Sequence, residues 1–189
     1  GASGVVGQEM MKCLENESSF DGSLRLVASA RSAGQVVNTS KGSYTIEELS
    51  EKVFVGMDIA LFAAGGDISK EWAPVAVSRG AVVVDNSGAF RMEKDVPLVV
   101  PEVNPQDVKN RPRGIISNPN CTTLSMIVAM GALHREYELE ELVVSSYQAA
   151  SGAGKPGVDA LHEQISKVAG KNLGSNAKDV ANEIGDHSP

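Results

Sequence analysis

Aromatic side chains are scarce in this chain, four Phe, three Tyr and one Trp making up 4% of its 189 residues. The core must therefore rest on Val, Ala, Leu and Ile, within a hydrophobic content of 42%. Small aliphatic cores of that kind are common where helices cover a parallel sheet. Cysteine is scarcer still: Cys13 and Cys121 are the only two. That excludes a disulfide framework and points to a reducing, cytoplasmic compartment. No apolar run reaches the roughly 18 residues that a membrane-spanning helix needs, so no membrane partner is expected. The 17 Lys and Arg are outnumbered by 24 Asp and Glu, for a net charge of −7. Such a balance argues against nucleic acid or an anionic membrane as the main partner. No His, Cys and Asp fall at metal-ligand spacing, and no metal is expected.

Set against these absences is the segment Ser117-Asn118-Pro119-Asn120-Cys121-Thr122-Thr123. An apolar run from Leu124 to Leu133 follows it at helical spacing, which puts Cys121 where a loop turns into a helix. Unpaired N–H groups and the positive end of the dipole favour an anion at such a point, so a thiolate is favoured there. Asn118-Pro119 suits a rigid approach, and the hydroxyls of Thr122 and Thr123 suit a polar first turn. A buried structural cysteine is the alternative, because free Cys is among the most buried residue types. These residues alone leave nucleophile and core cysteine at even standing.

The remaining elements alternate. Val6 to Leu14 reads as a helix with Cys13 on its inner face, and Leu24 to Ala28 as a short strand. Asp58 to Ala63 reads as a strand, Ile68 to Arg79 as a helix in which Pro74 marks a first turn or a kink. Ala81 to Asp85 and Gly114 to Ser117 read as strands, the second leading into the cysteine turn. A strand over Leu142 to Tyr147 and a helix from about Gly157 to Val168 follow, then a polar loop from Asn172 to Pro189. This alternation predicts an α/β fold with a doubly wound parallel sheet. Ligands in such sheets sit beyond the carboxyl ends of the strands, so the glycine-bearing turns and the cysteine loop are expected to converge.

Gly1, Gly4 and Gly7 follow GxxGxxG spacing, a weak form of the dinucleotide fingerprint. Such a turn normally receives a strand, and none precedes Gly1, so the sequence reads as a fragment whose first strand is missing. After the next strand, where NAD-binding folds carry an acid, stand Arg31 and the hydroxyls of Ser29 and Ser32. A guanidinium suits a 2′-phosphate, which favours NADP. An ordinary exposed loop arginine is the alternative.

Six segments in order carry a resemblance to a known family: Gly1 to Gly7, Ala30 to Gly34, Asp85-Asn86-Ser87-Gly88-Ala89-Phe90-Arg91, Val100-Pro101-Glu102-Val103-Asn104, Asn118 to Thr123, and Tyr147-Gln148-Ala149-Ala150-Ser151-Gly152-Ala153-Gly154. Together they resemble the N-terminal half to two-thirds of an aspartate-semialdehyde dehydrogenase. The resemblance implies an NADP-binding Rossmann-type domain over residues 1–118, its first strand missing. It implies the beginning of an α+β catalytic and dimerisation domain over residues 119–189. The activity implied is reduction of L-4-aspartyl phosphate to L-aspartate 4-semialdehyde with NADPH, releasing inorganic phosphate, on the route to lysine, methionine, threonine and isoleucine. Cys121 matches the family's nucleophile, which forms a thioester. Gln148 matches the glutamine beside the reacting carbonyl, Arg91 the arginine that holds the phosphate, and Asn120 a residue assisting there. Ser3, Gly4, Val5, Val6, Arg31, Ser32, Ser151 and Gly152 match cofactor contacts. The family forms dimers or dimers of dimers.

The resemblance also implies an acid/base histidine and a carboxylate-binding arginine further along than Pro189. His134, His162 and His187 read as surface residues rather than as that histidine. The nearest rival enzyme, N-acetyl-glutamyl-phosphate reductase, shares the thioester logic but typically has Pro-Gly-Cys-Tyr where this chain has Asn120-Cys121-Thr122. A non-catalytic dinucleotide-binding module is the other alternative, and it would need none of Cys121, Gln148 and Arg91.

Overall fold

A computed structural model describes residues 1–20 and 22–172. The chain divides into two compact units, Gly1–Val143 and Val144–Pro189. The loop read over Asn172 to Pro189 lies outside the described residues except for Asn172, as does His187.

The first unit is built around three parallel strands, β5 (Ile59–Phe62), β6 (Val82–Asp85) and β7 (Ile115–Ser117), with β6 in the middle. Their register aligns Phe62 with Asp85 and Asp85 with Ser117, so the carboxyl ends of all three strands finish level. Along β6 the pleat buries Val83 and Asp85 while Val82 and Val84 are half-buried. Helix α2 (Gly66–Ser78) covers the buried side with Ala73 and Ala76, both wholly inaccessible. Pro74 lies inside α2, neither at its start nor at its end. Its ring removes one helical hydrogen bond, and the packing of the flanking alanines on the sheet holds the helix through that loss.

The few aromatics gather in this core. Phe54 stacks on Phe62 with ring centroids 6.1 Å apart, Phe54 and Trp72 are 6.4 Å apart, and Phe90 is buried in the same cluster. A smaller cluster of Met11, Leu26, Ala28 and Ile46 joins α1 (Val5–Asn16) to a parallel pair, β1 (Val27–Ala28) and β4 (Glu47–Glu48). Between β1 and β4 lies an antiparallel hairpin, β2 (Val36–Thr39) and β3 (Gly42–Thr45), that sequence periodicity passes over. Its signal was the pair Val36-Val37 facing Tyr44-Thr45 across a turn that ends at Gly42.

Three expectations need correction. Cys13 is exposed. The inner face of α1 is marked by its buried residues Gly7 and Met11, one turn apart, and Cys13 lies two positions off that stripe. The strand expected over Leu24 to Ala28 shortens to Val27–Ala28, because β4 offers only two partner residues. No strand forms over Leu142 to Tyr147; Val143 is 89% and Tyr147 97% exposed, and no ladder partner occurs among the described residues. A β-prone sequence without a neighbouring strand has nothing to satisfy its backbone groups.

Helix α3 (Cys121–Tyr137) follows β7 and closes the main elements of the first unit. The second unit contains a short 3-10 turn, Ala150–Ala153, and helix α4 (Gly154–Val168). Salt bridges Lys155–Asp159 and Lys167–Glu163 run along the exposed side of α4.

Candidate active site

At the carboxyl end of β1 the glycine turn is held by backbone contacts. Ala2 donates its N–H to Val27 O at 3.0 Å, and Gly4 donates to Gly1 O at 3.0 Å. Side chains have no room there. A Cβ on Gly1 would lie 2.0 Å from Ala63 O, beyond the end of β5, and a Cβ on Gly7 would lie 2.3 Å from Gly1 O. The turn is thus wedged between the ends of β1 and β5, which only glycine permits. It delivers the chain into α1, whose N-cap Gly4 has no side chain to cap the first turn. Val5 is 72% and Val6 44% exposed, so this uncapped helix start opens to solvent. Closely approaching backbone and an uncapped helix N-terminus fit a dinucleotide pyrophosphate. Ser3 is half-buried beside it. Arg31 and Ser32 occupy a 3-10 turn, Ala30–Ser32, directly after β1, with the Arg31 side chain exposed. The glycine turn and the open helix start are thus compatible with a dinucleotide.

Beyond β6 and β7 the arrangement is denser. Arg91 donates from Nε to Asn118 O at 2.9 Å and from Nη2 to Asn86 O at 3.0 Å. Asn118 in turn donates from Nδ2 to Asn86 Oδ1 at 2.7 Å, and its N–H bonds Asp85 O at 3.2 Å. The loop after β6 and the loop before α3 are thus bound to each other with Arg91 fastened between them. Asn86 N–H also reaches back to Phe62 O at 3.0 Å. The loops after β6 and β7 are therefore bound to each other at the sheet's carboxyl edge, next to the last residue of β5.

Cys121 is the first residue of α3 and is exposed. Asn120 is the N-cap: its Oδ1 accepts from Thr123 N–H at 3.1 Å and from the Thr122 hydroxyl. Its Nδ2 lies 3.9 Å from Cys121 Sγ. The side-chain amide that caps the helix therefore also faces the sulfur. The thiol is exposed at a capped helix start and is not packed in the core.

In the second unit, Gln148 precedes the 3-10 turn that carries Ser151 and Gly152. Its Nε2 lies 2.4 Å from where a Cβ of Gly152 would stand, so the glycine makes room for the amide. The histidines among the described residues are elsewhere bonded or exposed. His134 Nδ1 accepts the Leu139 N–H at 3.0 Å just past the end of α3, and His162 is exposed on α4. No group of three His, Cys, Asp or Glu among the described residues is placed to hold a metal. Sequence reasoning assigned no role to Asp85, Ser69 and Ser87, which form a buried hydrogen-bonded group behind Arg91. The available signal was a polar Asp-Asn-Ser directly ending an apolar strand.

Fold and site together define an α/β protein of the Rossmann-type dinucleotide-binding class, with a cysteine at a helix start beside the sheet's carboxyl edge. The profile of the semialdehyde dehydrogenase NAD-binding domain matches residues 1–111, and that of the semialdehyde dehydrogenase dimerisation domain matches residues 130–186. The chain belongs to the semialdehyde dehydrogenase family. It is 46% identical over 171 residues to the aspartate-semialdehyde dehydrogenase of Bacillus subtilis, covering 90% of this chain and 49% of that protein. To the Aquifex aeolicus aspartate-semialdehyde dehydrogenase it is 49% identical over 166 residues, covering 87% of this chain and 49% of that protein. The chain thus spans about half the length of the curated relatives it matches. Among solved structures, aspartate semialdehyde dehydrogenase II of Vibrio cholerae superposes with a TM-score of 0.77 at 39% identity, over 93% of this chain and 53% of that one. The same Vibrio cholerae enzyme complexed with ASA matches equally, with a TM-score of 0.77.

Proposed function

We propose that the full-length protein is an NADPH-dependent aspartate-semialdehyde dehydrogenase that converts L-4-aspartyl phosphate to L-aspartate 4-semialdehyde and inorganic phosphate. The observation that carries this reading is the exposed Cys121 at the start of α3, three residues after Asn118, the residue that anchors Arg91. Likeness to relatives named for this activity supports it.

In this reading Cys121 Sγ attacks the acyl carbon of the aspartyl phosphate. The carbon–oxygen bond to the phosphate breaks, phosphate leaves, and a thioester remains on the sulfur. Arg91 receives the phosphate: the two carbonyls hold its guanidinium in a fixed plane, and Nη1 is engaged by no hydrogen bond among the described residues. Asn120 assists from the amide that faces the sulfur. Gln148 donates its amide to the carbonyl oxygen as negative charge develops there, without itself titrating. The nicotinamide, when bound, supplies the hydride that reduces the thioester. Collapse of the resulting thiohemiacetal frees the aldehyde and restores the thiol.

The glycine turn with Ser3, Gly4, Val5 and Val6 holds the pyrophosphate in this scheme, and Ser151 and Gly152 complete the cofactor contacts. Arg31 and Ser32 take the 2′-phosphate, which makes NADP rather than NAD the cofactor. The same reading gives a dinucleotide-binding domain over 1–118 and the start of the catalytic and dimerisation domain over 119–189. It also gives a homodimer or dimer of dimers in the cytoplasm, feeding lysine, methionine and threonine synthesis. The match to a dimerisation domain supports the assembly.

The test is phosphate-dependent reduction of NADP by the full-length protein with aspartate semialdehyde, run beside the N-acetylglutamate semialdehyde. Turnover confined to the first, and abolished in Cys121→Ala, is expected. Retained turnover in Cys121→Ala, or a preference for the N-acetylated substrate, rejects the proposal.

A further inference from the structure

Behind the Arg91 loop lies a carboxylate that the proposed chemistry leaves unused. Asp85, the last residue of β6, is wholly buried. Its Oδ1 accepts the Ser69 hydroxyl of α2 at 2.7 Å and the Ser87 N–H at 3.2 Å, and its Oδ2 accepts the Ser87 hydroxyl at 2.7 Å. Ser87 Oγ then accepts the Ala89 N–H at 3.1 Å. Neither salt bridge nor cation is bonded to the carboxylate among the described residues. A buried polar side chain costs free energy unless it is hydrogen-bonded, and simple packing would be served as well by an apolar side chain.

What the carboxylate does is wind the chain that follows. Three donors from residues 69 and 87 converge on it, and the hydroxyl of Ser87 passes the hold on to residue 89. Asn86, enclosed by this turn, presents the carbonyl that receives Arg91 Nη2 and the Oδ1 that receives Asn118 Nδ2. Without the turn, both acceptors lose their direction and the guanidinium keeps only its bond to Asn118.

We infer that Asp85 is a positioning residue which, through Ser87 and Asn86, holds the Arg91 guanidinium in the orientation that receives the substrate phosphate. The inference rests on the reading of Arg91 as the phosphate ligand. Asp85 itself is wholly buried and offers no surface to a substrate or cofactor.

The test uses the full-length enzyme in the phosphorolytic direction, with inorganic phosphate as the varied ligand. Asp85→Asn leaves size unchanged but removes one of the two acceptor oxygens, so that a hydroxyl now donating to the carboxylate loses its acceptor. It should raise KM for phosphate tenfold or more, while KM for NADP and the rate of Cys121 alkylation stay within twofold. Ser87→Ala, a milder change that keeps the buried carboxylate, should shift KM for phosphate in the same direction. Asp85→Asn combined with Arg91→Ala should be no worse than Arg91→Ala alone. If Arg91→Ala raises KM for phosphate but Asp85→Asn and Ser87→Ala do not, the positioning role is wrong and the phosphate reading stands. If Arg91→Ala leaves KM for phosphate unchanged, the phosphate reading itself fails, and the inference with it. Equal loss toward phosphate and NADP in both variants marks Asp85 as a fold residue and overturns the inference.

Discussion

Arg91 donates from Nε to the carbonyl oxygen of Asn118 at 2.9 Å, across 27 residues of sequence. The bond ties the loop after β6 to the loop that presents Cys121, so any group bound by Arg91 is referred to the same frame as the thiol. Asn118 completes the tie from its own side chain to Asn86. Arg91 and the loop that presents Cys121 are in this sense held in one hydrogen-bonded frame, although they lie far apart in the chain.

Cys121 should be alkylated before Cys13. Both thiols are exposed, so accessibility does not separate them. Cys121 opens α3, whereas Cys13 lies in the last turn of α1, with its own carbonyl receiving the Glu17 N–H. The positive helix end favours the anion that alkylation requires and the negative end opposes it. Timed iodoacetamide labelling with peptide mass analysis measures this, and equal rates at the two positions would refute it.

Asn120 offers a way to separate capping from chemistry. Asn120→Ala removes the cap on Thr123 N–H and should cost about 0.5–2 kcal/mol of stability, read by denaturant melts. Asn120→Asp keeps an equally good cap but places a carboxylate where Nδ2 stands 3.9 Å from the sulfur. Two like charges at that distance repel by about 1 kcal/mol even in water. Stability should therefore hold while thiol alkylation slows by about fivefold or more.

Gly7→Ala would ordinarily favour a helix. Here the new methyl would meet Gly1 O at 2.3 Å and Ala2 Cα at 2.9 Å, both backbone atoms that cannot swing aside. We expect a loss of about 1–3 kcal/mol in thermal unfolding, together with weaker NADPH binding in a fluorescence titration. A variant of unchanged or raised stability would mean that the turn is not wedged as described.

Arg31→Ala should weaken NADPH by about 1.5–3 kcal/mol, the usual worth of a hydrogen bond to a charged group, and leave NADH almost unmoved. The exposed placement after β1 leaves the guanidinium available to a 2′-phosphate. Parallel loss for both cofactors in calorimetric titrations would assign Arg31 to the loop instead.

His134→Ala should lower stability without touching turnover. The ring nitrogen accepts a backbone N–H just past α3, a bond worth about 0.5–1.5 kcal/mol, and that is the role its geometry supports. Should kcat in the full-length enzyme fall a hundredfold, His134 would have to be reconsidered as the acid/base.

By itself the sequence determined the parallel α/β class, the positions of α1, α2, β5, β6, β7 and α3 to within a few residues, and Cys121 at a helix start. Each follows from a local rule: apolar period for the elements, and glycine and proline for the turns. Tertiary structure decided what local rules leave open. Strand pairing shortened β1, and lack of a partner removed the strand over Leu142 to Tyr147, because a strand exists only against a neighbour. Helical phase was fixed by what α1 packs on, which turned Cys13 outward. Above all, the register that levels Phe62, Asp85 and Ser117 sets Arg91 against Asn118 and gives Asp85 a buried place behind them. No spacing in the chain announces that alignment, since it arises from hydrogen bonds between strands far apart in sequence.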